Sequence, residues 1–308
     1  AIENGATAII ADRLCEFDVT FEPLYLVTEL DKKLPELASQ FYENPSQSLD
    51  LIGVTGTNGK STSVRLLDGI AKAAGQVSGV TSTDFVRVGN DVLDKGDYSG
   101  PGGARLLLRD KRLQVAFLEV ARGGILRRGL PLRRASAALI TNVSSDHLGQ
   151  YGVNTLEALI ETKFAVKRPL TDDAVLVVNA DDEGIVNYMN QHPRHNLCWF
   201  SLDKNNLKIQ EQLNSNGKCS FADEGELFFF DGKILSSICN INDIPMTMDG
   251  AALHNVRNAL GVTGVTMAMG YSISSSQTTT TRRMLSTVRP VLNSLSTTHD
   301  LPDCLHQV

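Results

Sequence analysis

Short runs of uninterrupted apolar residues set the rhythm of the middle of this chain: "LIGVT" from Leu51, "VAFLEV" from Val115, "AALITNV" from Ala137 and "AVLVVNA" from Ala174. Runs without polar alternation suit strands buried on both faces, as in a parallel sheet covered by helices. The segment "STSVRLLDGIAKAAG" follows the first run with helical spacing. It puts Val64, Leu67, Ala71 and Ala74 on one face and stops at Gly75. "NTLEALIETKFAVKRPL" predicts another helix, with Asn154 as N-cap and Glu157 three residues on, akin to a capping box. Leu156, Leu159, Ile160 and Val166 mark its apolar face. Strands alternating with helices predict an α/β fold with a doubly wound, mostly parallel sheet.

The flanks differ. "TAIIAD" and "PLYLVT" read as strands, "LPELASQFYENP" as a helix-like piece, and Asn44-Pro45-Ser46 as a linker. From Asn196 to about Ile244, "LCWFSL", "KCSFAD", "GELFFFDG" and "KILSSI" are short strand candidates separated by turn residues, which predicts a small antiparallel β excursion. "AALHNVRNALGVTGVTMAMG" returns to helical spacing despite Gly261 and Gly264. Beyond Gly270 the chain is rich in Ser and Thr with little amphipathic order, and the expectation there is poor order. The divisions predicted are 1–48, 49–270 and 271–308.

Composition narrows the class. The 308 residues are 42% hydrophobic and 21% charged, with net charge -6, values of a soluble globular protein. This charge makes neither nucleic acid nor an anionic membrane an expected partner. No apolar run is long enough to span a bilayer. Cys15, Cys198, Cys219, Cys239 and Cys304 are odd in number and form no Cys-x-x-Cys, which favours free thiols in a reducing cytoplasm. The start, "AIENGATAII", has neither Met nor a signal pattern, and reads as cut rather than targeted.

The chemistry concentrates in "LIGVTGTNGKSTSVRLL". A strand, a Gly-rich loop, Gly-Lys-Ser and an amphipathic helix form the context a phosphate-binding loop needs. The spacing departs from the usual Gly, four residues, Gly-Lys-Ser/Thr. Thr55, Gly56, Thr57, Asn58, Gly59, Lys60, Ser61 and Thr62 are the candidate nucleotide-binding residues. Lys60 would reach the terminal phosphates and the Ser61 hydroxyl would sit on Mg2+. Glu119 closes an apolar strand, where open α/β sheets bind ligands. Lys163 lies seven, four and three residues from Leu156, Leu159 and Ile160, so it shares their apolar face. It reads either as a functional amine or as a snorkelling lysine, with Lys167 a competing candidate.

"GTNGKST" resembles the nucleotide loop of the Mur ligases, ATP-dependent enzymes that add amino acids in cell-wall (peptidoglycan) assembly. "ALITNVSSDHLGQYG" and "GAALHNVRNALG" resemble two further segments of that superfamily. "GVTSTDFVRVGNDVLDKGDYSGPGGARLLLRD", "FLEVARGGILRRGL" and "DIPMTMDGAALHNVRNAL" are similar to the Mur-type half of cyanophycin synthetase. "AIENGATAIIADR" and the segment leading into the loop resemble the tripeptide-forming Mur ligase, with the chain looking truncated at both ends.

The resemblance implies a cytoplasmic ligase, cofactors ATP and Mg2+, and as partners a small-molecule carboxylate acceptor and an amino acid. It implies amide synthesis through an acyl phosphate; an ATP-binding module without turnover stays open beside it. Glu119 and His147 become implied metal ligands with Ser61, Lys163 an implied carbamylated lysine, and Lys60, Lys163 and His147 the catalytic set. Asn142 and Asp146 are weaker companions. His254, Asn255 and Asn258 would contact adenine and ribose. Arg122, Arg127 and Arg128 either bind an acidic acceptor or form a solvated basic loop. The C-terminal domain of complete Mur ligases would be expected where the Ser/Thr-rich tail stands.

Overall fold

The computed structural model describes residues 5–12, 23–30, 49–130, 134–145 and 152–269, together with positions 33, 37, 40, 41 and 149. Two compact units emerge, Ala1–Ser48 and Leu49–Val308. In the first, the two apolar runs form strands as expected, β1 (Ile9–Asp12) and β2 (Leu24–Val27), and these pair in parallel. The Leu30 amide donates to the Asp12 carboxylate. The linker at Asn44-Pro45-Ser46 and the segment 271–308 fall outside the described residues.

The second unit is built on an 11-stranded sheet. Its strands are β3 (Asp50–Thr55), β4 (Ser78–Thr81), β5 (Phe85–Val88), β6 (Asp91–Lys95), β7 (Val115–Glu119), β8 (Ala135–Ile140), β9 (Leu170–Asn179), β10 (Leu197–Ser201), β11 (Lys218–Asp223), β12 (Glu226–Phe230) and β13 (Leu235–Asn240). The order is β13-β12-β11-β10-β9-β8-β3-β7-β4-β5-β6. Strands from β4 to β11 in that order pair in parallel, and antiparallel hairpins close both edges. The chain runs from β3 outward to β4, back to β7, then crosses to β8 on the other side of β3. A ligand-binding crevice forms where the order reverses in this way.

Helices cover both faces. They are α1 (Lys60–Ala73), α2 (Pro101–Leu107), α3 (Arg122–Arg128), α4 (Leu156–Phe164), α5 (Glu183–Gln191), α6 (Leu207–Ser215) and α7 (Leu253–Ala268). Alternate residues of the central strands go to opposite faces. Ile52, Val54, Ala137 and Leu139 pack with α1 and α7, through Val64, Leu67, Val256 and Leu260. Ala138 and Ile140 pack with Leu159 and Phe164 of α4 and Ile185 of α5. Each buried Val, Leu, Ile or Phe among them contributes roughly 1.5–3 kcal/mol.

Three expectations are refined. The strands after Asn196 continue the main sheet: β10 and β11 pair in parallel, α6 crosses between them, and only β12 and β13 form the antiparallel excursion. The N-cap of α4 is Thr155, whose hydroxyl accepts from the Ala158 amide at 3.2 Å, one residue later than the pattern suggested. Gly261 and Gly264 lie within α7 without interrupting it, and let it lie close on the sheet. A Cβ at Gly264 would stand 2.9 Å from Val177 Cγ1, and one at Gly261 3.0 Å from Leu139 Cδ1.

Candidate active site

The loop between β3 and α1 is shaped by its glycines. Gly56 adopts φ +151, and a Cβ there would fall 1.9 Å from Thr141 Oγ1. Gly59 adopts φ +84, and its Cβ would fall 2.2 Å from Asn258 Oδ1. Both positions need the left-handed freedom and the missing side chain of glycine. Gly59 caps α1 and offers no side-chain acceptor to the first-turn amides. Such an uncapped helix start is ready to receive an anion.

The other side of the loop is stitched to the segment after β8. The Thr57 amide donates to Asn142 O (2.8 Å), and the Asn58 amide to Asn142 Oδ1 (3.0 Å). Asn142 Nδ2 returns a bond to Asn58 O (3.0 Å), and Ser144 N–H donates to Thr57 Oγ1 (3.0 Å). The Thr57 and Asn58 amides therefore brace the loop, and the anion-facing role passes to the head of α1. Thr55 is fully buried, its hydroxyl donating to Val120 O at 2.8 Å.

Lys60 folds back over the loop and donates to Thr57 O at 2.9 Å. Ser61 Oγ donates to Glu119 Oε2 at 2.8 Å and lies 3.4 Å from Thr83 Oγ1. Thr62 sits beside them in the same first turn of α1. Glu119 is 1% exposed, and its Oε1 has no hydrogen-bond partner. Burial pushes its carboxyl above the ordinary carboxylate range, against the opposing pull of the Lys60 charge and the Ser61 hydroxyl. Asp97 adds to the upward push.

A buried carboxylate oxygen without a partner beside two hydroxyls fits a hard divalent cation. Mg2+ is held by one or two carboxylates plus phosphate oxygens and water rather than by a full protein cage. Among the described residues no group of three His, Cys, Asp or Glu could hold a metal.

A cleft of about 330 Å³ opens beside the loop, lined by Asn58 and Lys60, by Arg122 and Gly123 at the head of α3, and by Leu159 and Lys163 of α4. Lys163 is 4% exposed. Lys167 turns elsewhere: its Nζ donates to Tyr188 Oη at 2.9 Å and lies 4.7 Å from that ring. The geometry thus separates the two lysines. Arg127 Nε donates to Gly123 O within α3.

On α7, Asn258 is buried against Gly59, while Asn255 Nδ2 donates to Met246 O at 2.7 Å. His254 is exposed. Asp146 and His147, and the side chain of Arg128, lie outside the described residues. Sequence reasoning missed Thr83, which follows β4 where it lies beside β7, and Asp97, in the segment between β6 and α2.

A family model described as the Mur ligase middle domain matches residues 54–266. The chain belongs to that family. This Mur ligase middle domain is 36% identical over 239 residues to a cyanophycin synthetase of Geminocystis herdmanii, covering 78% of the chain and 27% of the relative. It is 27% identical over 297 residues to the UDP-N-acetylmuramoyl-L-alanyl-D-glutamate–2,6-diaminopimelate ligase of Phocaeicola vulgatus, covering 94% of the chain and 56% of the relative. The chain therefore spans about a quarter to about half of the length of these relatives. A bifunctional folylpolyglutamate synthase/dihydrofolate synthase, solved with Mn, AMPPNP and L-glutamate bound, shares the fold at TM-score 0.55 and 17% identity, over 84% of this chain and 61% of the other. Among the described residues no helix is long and apolar enough to cross a membrane.

Proposed function

We propose that residues 49–270 of this Mur ligase middle domain form the ATP-handling part of an ATP-dependent amide ligase, with 1–48 part of a preceding domain. The observation that carries the reading is the cleft lined by Lys60 and Lys163 at the uncapped start of α1, where Ser61, the residue next to Lys60, is bonded to the buried Glu119. The names of the relatives, a polymer synthetase and an amino-acid ligase, support the reaction class. The ATP analogue and Mn in the folylpolyglutamate synthase support the choice of nucleotide and ion.

In this reading a substrate carboxylate oxygen attacks the γ-phosphorus of ATP, the bond to the bridging oxygen breaks, and ADP leaves. An amine then attacks the acyl carbon of the acyl phosphate. The C–O bond to phosphate breaks, inorganic phosphate leaves, and the nitrogen loses its surplus proton. The amides at the head of α1 and the Lys60 ammonium offset charge on the transferring group, and such transfer is mostly positioning and charge neutralisation. Glu119, Ser61 and Thr83 would hold Mg2+, which supplies further charge neutralisation at the phosphates. Lys163 lies within the same cleft, where its carbamate would add an anionic oxygen for an ion. His147, Asn142, His254, Asn255 and Asn258 remain proposed contributors, with Asn258 acting through the Gly59 turn.

The test is calorimetric titration with ATP and Mg2+, followed by mass spectrometry of products with candidate acceptors and amino acids. Binding that is lost in Lys60→Ala supports the reading; equal affinity in both proteins removes it.

A further inference from the structure

The segment after β8 does more than touch the loop. Successive residues of Asn142–Ser144 point their polar groups to opposite sides, as in a short strand. Asn142 O and Oδ1 accept from Thr57 and Asn58, and Ser144 N–H donates to Thr57 Oγ1. Val143 N–H between them faces away and donates to Asp182 Oδ2 at 2.6 Å. The other oxygen of the same carboxylate, Oδ1, accepts from the Ile185 amide at 3.1 Å and caps α5. Gly184 keeps this junction tight: a Cβ there would come within 2.8 Å of Ile160 Cδ1, on the helix that carries Lys163. One half-buried carboxylate therefore joins three parts: the start of α5, the 142–144 segment and, through that segment, the nucleotide loop.

We infer that Asp182, which touches no part of the cleft, is a positioning residue for nucleotide binding: it holds Asn142–Ser144 against the loop so that Thr57 and Asn58 are set before ATP arrives. The inference rests on the ATP reading above and goes beyond it in naming the residue that fixes the loop from behind. A loop already held in its binding geometry avoids the ordering cost of fixing it at the moment of association. The two oxygens have separate tasks, so the helix cap and the loop brace can be separated experimentally. Asn and Ser are both good N-caps. Neither offers Val143 a second, charged acceptor while capping.

The experiment measures ATP·Mg2+ affinity by calorimetry and melting temperature by circular dichroism, for the unmodified chain, Asp182→Asn, Asp182→Ser, Asn142→Ala and the pair Asn142→Ala with Asp182→Asn. Asp182→Asn is expected to weaken ATP binding about tenfold, equivalent to about 1.4 kcal/mol. In the Asn142→Ala background, where the segment has already lost its grip on Asn58, the same change is expected to cost less than about twofold, because coupled residues are not additive. Asn206→Ala, which removes the side-chain cap of α6, should lower the melting temperature and leave ATP affinity unchanged. Unaltered affinity in Asp182→Asn, or an equal loss in both backgrounds, overturns the inference. So does failure of both Asp182 variants to fold, which would make the residue a purely structural one. Absence of ATP binding by the unmodified chain would instead defeat the nucleotide reading itself.

Discussion

Ser61 Oγ and Glu119 Oε2 stand 2.8 Å apart, joining the first turn of α1 to the last residue of β7. The bond leaves Glu119 Oε1 buried and unpartnered, and burial raises the carboxyl's pKa. An acid with a raised folded pKa binds its proton more tightly when folded, so the folded state loses stability as pH rises from the ordinary 4.5 through the raised value. Without nucleotide, Glu119→Gln should therefore match or exceed the unmodified chain in melting temperature at pH 7, and its pH dependence across that window should be flatter. Addition of ATP and Mg2+ should stabilise the unmodified chain much more than the variant. Thermal melts at several pH values check both expectations.

Gly59→Ala should destabilise by about 1–3 kcal/mol, from left-handed backbone strain together with the approach to Asn258 Oδ1. In an Asn258→Ala background the steric part disappears and the cost should fall toward the backbone part alone. Urea denaturation of the four proteins measures this coupling.

Lys163→Ala should abolish turnover, with partial recovery on adding short carboxylic acids in place of the proposed carbamate. Lys167→Ala, whose ammonium is bound to Tyr188, should keep turnover and lose only modest stability. Product formation followed by mass spectrometry distinguishes the two lysines; equal loss in both would defeat the assignment.

Gly264→Val should cost about 1–3 kcal/mol by overpacking α7 against Val177 and Cys198. A drop in the urea midpoint at unchanged slope is the expected result.

The sheet's centre was legible because its apolar runs are continuous and each is followed by helical spacing or turn residues. The loop was legible from Gly59-Lys60-Ser61 set between an apolar run and a stretch of helical spacing. The edge strand β6 was not, because it is exposed along its whole length and carries no burial pattern. Helix α6 buries only Ile209, too little to register as a stripe. Thr83 and Asp182 were invisible for a different reason. Each acts on a residue far along the chain, through a strand order that short-range periodicity does not encode. Asn142 was legible only as a weaker companion of His147, and the structure shows its side-chain amide engaged on both sides with Asn58.

The placing of β3 between β7 and β8 also bears on how the protein is made. The loop sequence is complete at residue 62, yet its strand finds a first neighbour only from residue 115 and a second only from residue 135. The buried Asn258 that meets Gly59 comes later still. Contacts so distant along the chain form slowly, because closing the intervening segments comes first. During synthesis the motif would thus leave the ribosome long before its neighbours exist, and the nucleotide capture proposed for it would report a late stage of folding.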